Sequence, residues 1–263
     1  MLFLLRNIRR KLLSQDNKVI SYLLYAVGEI ILVVVGILIA VQIDDWNQER
    51  KKKQDGIEYR ARLISDLQTD QNNLTKRIEF FDIIYEYGLE AESHLHQEVT
   101  SDFNDQWEFV YKVFQTSQIW PFRATVTTYN ELQNNSVIQY VAKDSVLQQV
   151  STYYIDNPEQ LEHLTGGTTA YRDFVRGIIP ISVQTHIWET CVNSSSIDQQ
   201  SFTACDPPYE LQSVIEEVYV NFRHSDDFNK VLTRRLATLQ IRDIMLRNIL
   251  NDNQKLQRNL NTQ

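Results

Sequence analysis

The sequence predicts an all-α protein. An N-terminal single transmembrane helix continues into a long stalk helix, and an antiparallel helical bundle lies outside the membrane. Three observations support this prediction. Val19 to Ile43 form one apolar run whose only charged residue is Glu29. Beyond that run, apolar residues recur at steps of three and four, the period of an amphipathic helix. The chain has only 7 Gly and 5 Pro, which disfavours an all-β fold with many turns.

The apolar run is long enough to cross a membrane. A helix rises about 1.5 Å per residue, so the run extends about 37 Å, more than a hydrocarbon core of about 30 Å. A cleaved signal peptide is disfavoured, because the run is too long and no good small-x-small cleavage site follows it. We therefore predict a basic amphipathic segment at 1–18, a transmembrane helix at 19–43 and an extramembrane α-helical domain at 44–263.

Charge is distributed unevenly along this chain, whose formal net charge is −8. Residues 44–263 hold 21 cations and 32 anions, so the acidic domain is a poor general nucleic-acid binder. The basic N-terminal segment suits an anionic inner leaflet, and we expect the lipid bilayer to be its partner. The candidate membrane-surface cations on the two flanks of the span are Arg6, Arg9, Arg10, Lys11, Arg50, Lys51, Lys52 and Lys53.

The cations on the two flanks nearly balance, so the positive-inside rule alone does not orient the span. A short, basic, amphipathic N-terminus and the acids Asp44 and Asp45 after the span favour a cytoplasmic N-terminus and a periplasmic domain. Cys191 and Cys205 lie in that domain at a spacing that permits a disulfide, which also favours an oxidising compartment. A disulfide there would close a loop of about 15 residues, worth about 3 kcal/mol. The alternative is two unpaired thiols, one of them buried.

The domain begins and ends with long helices. The stalk helix carries its apolar residues at Ile57, Ala61, Ile64, Leu67, Leu74, Ile78, Phe81, Tyr85 and Leu95. A C-terminal helix over about 226–258, capped by Ser225-Asp226, is long enough to run back along the stalk. Its apolar residues are Val231, Leu232, Leu236, Leu239, Ile241, Met245, Ile249 and Leu256.

Shorter helices fill the space between these two. A helix over 105–119 ends before Trp120-Pro121, because the residue before a proline disfavours the α region. The other expected segments, in chain order, are two short helices over 125–155, a turn at Asp156-Asn157-Pro158, a helix from about Pro158 to Leu164, a helical region over 168–190 interrupted at Pro180, a Ser/Gln-rich loop over 191–206 and a helix over 209–223.

Two segments carry a family resemblance. In Arg10–Lys51 the core reads YLLYAVGEIILVVVGILIAVQI and is followed by a Trp-Asn pair, and Thr128–Tyr154 holds a Thr-Tyr-x-x-Leu pattern before an amphipathic helix. Both resemble a family of bacterial single-pass membrane proteins catalogued as a domain of unknown function. Asn134-Asn135-Ser136 stands in a turn where that family often has Gly. The resemblance implies an envelope protein of a Gram-negative bacterium, with the anchor in the inner membrane, and implies no reaction.

Glu29 lies on a helical stripe with Tyr22, Ala26, Val33, Gly36 and Ala40. Gly36 and Ala40 form a small-x-x-x-small pair that lets a second helix approach closely. A carboxylate in the membrane costs about 2.5–3.5 kcal/mol on insertion scales, so it calls for an explanation. The stripe packs on another transmembrane helix, or Glu29 couples to protons or cations, or Glu29 is tolerated near the membrane surface. Packing is the leading interpretation.

The extramembrane domain offers weaker candidates for chemistry. Glu92, His94, His96 and Glu98 would share one face of a strand and ligate a metal, but on a helix they split into two pairs, and zinc needs three or four ligands. Gly166-Gly167 is a weak anion-binding candidate. The aromatics over 103–122 belong to a core or line a ligand site. The chain has no nucleophile elbow, P-loop, dinucleotide fingerprint or zinc-protease motif.

These observations predict a non-enzymatic, membrane-anchored scaffold or interaction protein that has no cofactor. It would assemble through its transmembrane helix, either as a homo-oligomer or with another membrane protein. The alternatives are a periplasmic helical-bundle sensor or ligand-binding protein and, more distantly, an ion-coupled motor or transport subunit that uses Glu29. A hydrolase is the last of the alternatives.

Overall fold

The protein is described by a computed structural model that covers residues 18–165, 169–196, 199–203 and 205–263. Its helices are α1 (Lys18–Leu95), α2 (Phe103–Thr116), α3 (Thr127–Gln133), α4 (Asp144–Ser151), α5 (Asn157–Thr165), α6 (Thr169–Ile178), α7 (Ile181–Thr190), α8 (Gln212–Arg223) and α9 (Asp226–Asn261). Two short strands, β1 (Val192–Ser196) and β2 (Gln199–Phe202), form an antiparallel hairpin. The all-α prediction is therefore confirmed, because most of the described residues are helical.

The chain divides into two units, residues 1–55 and 56–263. In the first unit the described residues belong to α1, and every side chain described from Tyr22 to Arg50 is exposed. This part of α1 is long and apolar enough to cross a membrane. The predicted basic segment at 1–18, with Arg6, Arg9, Arg10 and Lys11, lies outside the described residues apart from the start of α1 at Lys18.

The second unit has two hydrophobic clusters. The first cluster joins α1 to the segment that runs from Trp120 through α5 and to α9 from Leu239 onward. The second cluster joins the last turns of α1 to α2, α6, α7, α8 and the first third of α9. Helix α9 thus contributes to both, with Phe228, Leu232 and Leu236 in the second cluster and Leu239, Leu246, Ile249, Leu256 and Leu260 in the first.

Helices α1 and α9 run antiparallel, as the sequence predicts. Asn253 Nδ2 donates to the Leu67 carbonyl at 3.0 Å, and Arg247 Nη2 bonds Asp82 at 3.0 Å. Further along α9, Leu236 lies against Gly88. Residue numbers therefore fall in α9 as they rise in α1. The predicted cap is also present, since Ser225 Oγ accepts a hydrogen bond from the Phe228 N–H.

Both glycines of α1 in this unit mark close helix contacts. A Cβ added to Gly56 would lie 2.6 Å from the Tyr140 carbonyl oxygen, and one added to Gly88 would lie 2.7 Å from Leu236 Cδ2. Real Cβ atoms do not approach neighbours this closely. Because Gly56 has no side chain, a short 3₁₀ turn over Ile138–Tyr140 can pack on α1. Gly88 allows the same close contact between α1 and α9 at Leu236.

The structure differs from three local predictions. The predicted loop between the cysteines contains the β1–β2 hairpin. The predicted turn at Asp156-Asn157-Pro158 is helical instead, because a π-helical turn over Thr152–Asp156 widens the helix and tolerates the missing N–H of Pro158. In the stalk, Ile57 and Ala61 are exposed, and Leu63, Phe80 and Ile84 lie in the core.

Candidate functional site

The predicted membrane face lies on the exposed part of α1. Tyr22, Ala26, Glu29, Val33, Gly36 and Ala40 are all exposed, and nothing lies within 4 Å of a Cβ added at Gly36. The four cations that follow are Arg50, Lys51, Lys52 and Lys53. Arg50 stacks 5.7 Å from the Trp46 ring, and Lys53 pairs with Glu49 at 2.8 Å. Within the described first unit, this face has no partner from its own chain.

The hairpin after α7 carries the two cysteines. Cys191 is fully buried, and its sulfur is bonded to that of Cys205. The Thr203 N–H donates to the Cys191 carbonyl at 3.0 Å, and Thr203 Oγ1 donates to the Thr190 carbonyl. The disulfide and these two hydrogen bonds close the hairpin against the end of α7, and Phe202 of β2 stacks on Phe80.

A polar cleft of about 300 Å³ lies between the end of α1 and α2. Its charged lining consists of Glu90, Asp105, Glu108 and Lys112, and His94 lies at one side. Lys112 Nζ forms ion pairs with both Glu90 and Glu108, which places its ammonium between two carboxylates. The cleft is at the small end of the range for ligand sites.

His94 is joined to the core behind this cleft. The Thr100 N–H donates to the Tyr219 hydroxyl oxygen, and that hydroxyl lies 3.1 Å from His94 Nε2. The Tyr219 proton then has Nε2 as its acceptor, which favours the tautomer with the proton on Nδ1. Burial lowers the pKa of His94, and Arg223 lowers it further. His94 is therefore neutral at pH 7 and accepts a hydrogen bond at Nε2.

The predicted Glu/His run does not form a cluster. His94 is half-buried in the last turn of α1, whereas His96 and Glu98 follow the helix and are exposed. In the part of the chain that the structure describes, no three His, Cys, Asp or Glu residues lie close enough to hold a metal. His186 and His224 bond backbone carbonyls, those of Asp206 and Val220. Gly166-Gly167 lies outside the described residues, as does the side chain of His163.

The aromatic residues of 103–122 pack into the two clusters. Phe103, Trp107, Phe109 and Phe114 lie in the second cluster, and Trp120 and Phe122 in the first; all are less than 9% exposed. Tyr111 is half-buried against Tyr87 and Trp107. These side chains stabilise the domain.

A buried polar network centres on Asp70, which is fully buried in α1. Its carboxylate accepts from the Thr125 N–H at 2.9 Å, from Thr125 Oγ1 at 2.7 Å and from the Tyr153 hydroxyl at 3.0 Å. Asn253 of α9 donates to the Tyr153 hydroxyl at 2.9 Å. Burial raises the pKa of Asp70, against the opposing effect of its Thr125 and Tyr153 donors.

Sequence reasoning missed this network, although a signal was present. Leu63, Leu67, Asp70, Leu74 and Arg77 follow one another at steps of four, three, four and three, so both polar residues interrupt an apolar stripe. Arg77 lies on the same face of α1 as Asp70. It donates to the Pro121 carbonyl at 3.0 Å and stacks 4.6 Å from the Trp120 ring. Asp70 and Arg77 therefore fasten the segment between α2 and α3 onto α1.

Residues 29–82 match a family described as "Family of unknown function (DUF6090)". The matched range lies wholly within α1, starting inside the apolar run and ending on the face that pairs with α9. No curated protein and no solved structure matches the chain. The match agrees with the resemblance to an uncharacterised numbered family and brings no reaction with it.

Proposed function

We propose that this protein is a non-enzymatic, membrane-anchored scaffold that assembles with a second copy of itself through the Glu29 face of α1. One observation carries the proposal. Every described side chain from Tyr22 to Arg50 is exposed, so an apolar helix of membrane length has no partner within its own unit. Lipid would cover most of that surface.

The composition of the face favours a helix as its partner. Gly36 leaves open space that a neighbouring backbone can enter, and Ala40 is one turn further along the same stripe. Glu29 would be expensive against lipid alone. In a symmetric pair, each Glu29 side chain would have the other as its polar partner, and no further polar group would be required. A second copy of this chain is therefore the simplest occupant.

The proposed site of action is the inner membrane of a bacterium, with a cytoplasmic N-terminus and a periplasmic domain. The disulfide between Cys191 and Cys205 supports this placement, because structural disulfides persist in oxidising compartments. Arg50 to Lys53 would then lie at the outer headgroups. Protease treatment of spheroplasts tests the orientation: it should digest the 56–263 domain without lysis, and protection of that domain would reverse the topology.

Assembly can be tested with a matched pair of glycine variants. The full chain in mild detergent would be sized by native mass spectrometry, as wild type, Gly36→Leu, Gly28→Leu and Glu29→Gln. Gly28 is about 80° away from Gly36 around the helix and is equally open, so it is the control. We expect Gly36→Leu to give monomers and Gly28→Leu to leave the oligomer intact. If assembly survives both Gly36→Leu and Glu29→Gln, the interface is elsewhere.

The cleft beside His94 favours a second candidate function, that of a sensor or ligand-binding protein. The cleft combines a neutral histidine, three acids and a lysine in an open groove of about 300 Å³. A small polar ligand with a cationic group suits that lining. Replacing His94 with Gln would keep a hydrogen bond to Tyr219 and should alter ligand affinity without changing oligomer size, which separates this function from assembly.

A further inference from the structure

Three arginines converge on the end of α2. We call Arg172 and Arg176 of α6, together with Arg235 of α9, the arginine cluster. Arg172 Nη1 donates to the Ser117 carbonyl at 3.1 Å, and Arg235 donates to the carbonyls of Thr116 at 2.9 Å and Gln118 at 2.7 Å. Arg176 bonds the side-chain oxygens of Ser117 and Gln118, each at 3.2 Å. All three guanidinium groups therefore donate to the same three consecutive residues, Thr116 to Gln118.

The positive charge of this cluster is poorly compensated. Among the described residues, none of the three guanidinium groups forms an ion pair with a carboxylate within 4.0 Å. The carbonyl end of α2 offers a partial charge of only about −0.5. This excess of positive charge sits in a domain with 21 cations and 32 anions, where acids to pair with are abundant.

Arg235 adds an observation that helix capping does not explain. Its side chain is 2% exposed, and Nη1 is buried without a hydrogen-bond partner, whereas Nε and Nη2 are both engaged. A buried unpaired donor of a charged group is expensive, so an absent acceptor is the expected cause. Burial lowers the pKa of Arg235 to about 9, and burial lowers that of Arg176 to about 10, so both groups stay charged at pH 7.

The two arginines of α6 are less buried than Arg235. Arg172 and Arg176 are one helical turn apart and are each half-buried, so their guanidinium groups are only partly covered. Arg176 is held in place by stacking 4.5 Å from the Phe114 ring and 5.5 Å from the Trp188 ring. Arg172 donates only through Nη1, and Arg176 only through Nε and Nη2, so among the described residues each of them, like Arg235, keeps N–H groups for a further acceptor.

We propose that the arginine cluster binds a small oxyanion, a carboxylate or a phosphate group, in the extramembrane domain. Guanidinium forks match the oxygens of both groups in two-point hydrogen bonds. The anion would bridge Arg172 and Arg176, accept from Arg235 Nη1 and offset the repulsion among the three cations. The hydrogen bonds from Arg172 and Arg235 to backbone carbonyls would be kept when the anion binds.

Isothermal titration of the full chain in a zwitterionic detergent tests this proposal, with inorganic phosphate and acetate as probes at constant ionic strength. We expect saturable binding of at least one anion, weakened tenfold or more by Arg172→Gln and by Arg176→Gln. Binding of phosphate alone or of acetate alone would identify the preferred group. Arg234→Gln is the control, because Arg234 neighbours Arg235 on α9 but is exposed, and it should bind as wild type.

Two results would overturn the proposal. One is the absence of binding by either anion at 50 mM. The other is unchanged affinity in both Arg172→Gln and Arg176→Gln, which would move the anion elsewhere on the domain. Near-ultraviolet circular dichroism of each variant checks that the aromatic core is intact. If Arg176→Gln unfolds because it loses its stacking, Arg172→Gln alone decides the outcome.

Discussion

Replacing Asp70 with Ala should destabilise the domain more than any other single truncation of an acid in α1. The change removes the acceptor of three hydrogen bonds, two from Thr125 and one from Tyr153. Thr125 is partly exposed, so its hydroxyl can turn to water, but its N–H and the buried Tyr153 hydroxyl lose their acceptor. Two unsatisfied donors at about 1–3 kcal/mol each give a loss of about 4 kcal/mol.

A loss of that size is easy to measure. For a domain of about 200 residues, 1 kcal/mol shifts the melting temperature by about 2–4 °C, so Asp70→Ala should melt about 8–16 °C below wild type. Asp70→Asn keeps one acceptor for Thr125 and should lose less than half as much. Glu79→Ala, an exposed acid on the same helix, should change nothing. If Asp70→Ala is within 1 kcal/mol of wild type, or if Asp70→Asn is less stable than Asp70→Ala, the three hydrogen bonds do not stabilise the domain in this way.

The same variants test the electrostatics of Asp70. Its pKa is raised in the folded domain, so the folded state holds this proton more tightly than the unfolded chain does. The contribution of Asp70 to stability is then fully present below its unfolded pKa and is lost as pH rises through its folded pKa. We expect wild type to gain stability over Asp70→Asn as pH falls towards 4, measured by urea unfolding. If the stability advantage of wild type over Asp70→Asn grows as pH rises, the pKa of Asp70 is lowered in the folded domain, not raised.

The remaining predictions concern helix contacts and the disulfide. Gly177 is exposed with open space around it, so Gly177→Ala should stabilise α6 by about 1 kcal/mol, whereas Gly56→Ala should destabilise by about 1–2 kcal/mol because its Cβ would meet the Tyr140 backbone. Equal effects in urea unfolding would contradict the close approach at Gly56. Reduction of Cys191–Cys205 should remove about 3 kcal/mol and lower the melting temperature by about 6–12 °C, with no effect on a Cys191→Ser/Cys205→Ser double variant; a melting temperature independent of reductant would contradict this.

The long helices and their pairing are predictable because their signal is periodic. Leu67, Leu74, Ile78 and Phe81 in α1 are buried where the pattern places them, and so are Leu239, Ile249 and Leu256 in α9. From Leu63 onward in α1, and in α9, the pattern is amphipathic, so most of the buried face follows from the sequence, although Ile241 is exposed. Ile57 and Ala61 are exposed because the face of α1 that packs on the domain runs here through Gly56, Tyr59 and Leu63.

Features that depend on tertiary contacts are not predictable in this way. The arginine cluster exists because α6 and α9 meet at the end of α2, and no spacing between Arg172 and Arg235 in sequence encodes that meeting. Both Tyr153 and Tyr154 are buried in the π-helical turn over Thr152–Asp156, where Tyr153 donates to Asp70, a residue 83 positions away in the sequence. The β1–β2 hairpin is also not predictable from local sequence. Its Ser/Gln composition is typical of a loop, and the disulfide between Cys191 and Cys205 joins its two ends.

The place of α9 in both hydrophobic clusters has a consequence for how the chain folds during synthesis. Until the 36 residues of α9 are available, neither cluster is complete, and the part of the α1 stripe that packs on α9 remains uncovered. The domain therefore completes its folding only after α9 has been synthesised. We expect it to depend on chaperones that shield exposed apolar helices, and to be degraded when a truncation removes α9.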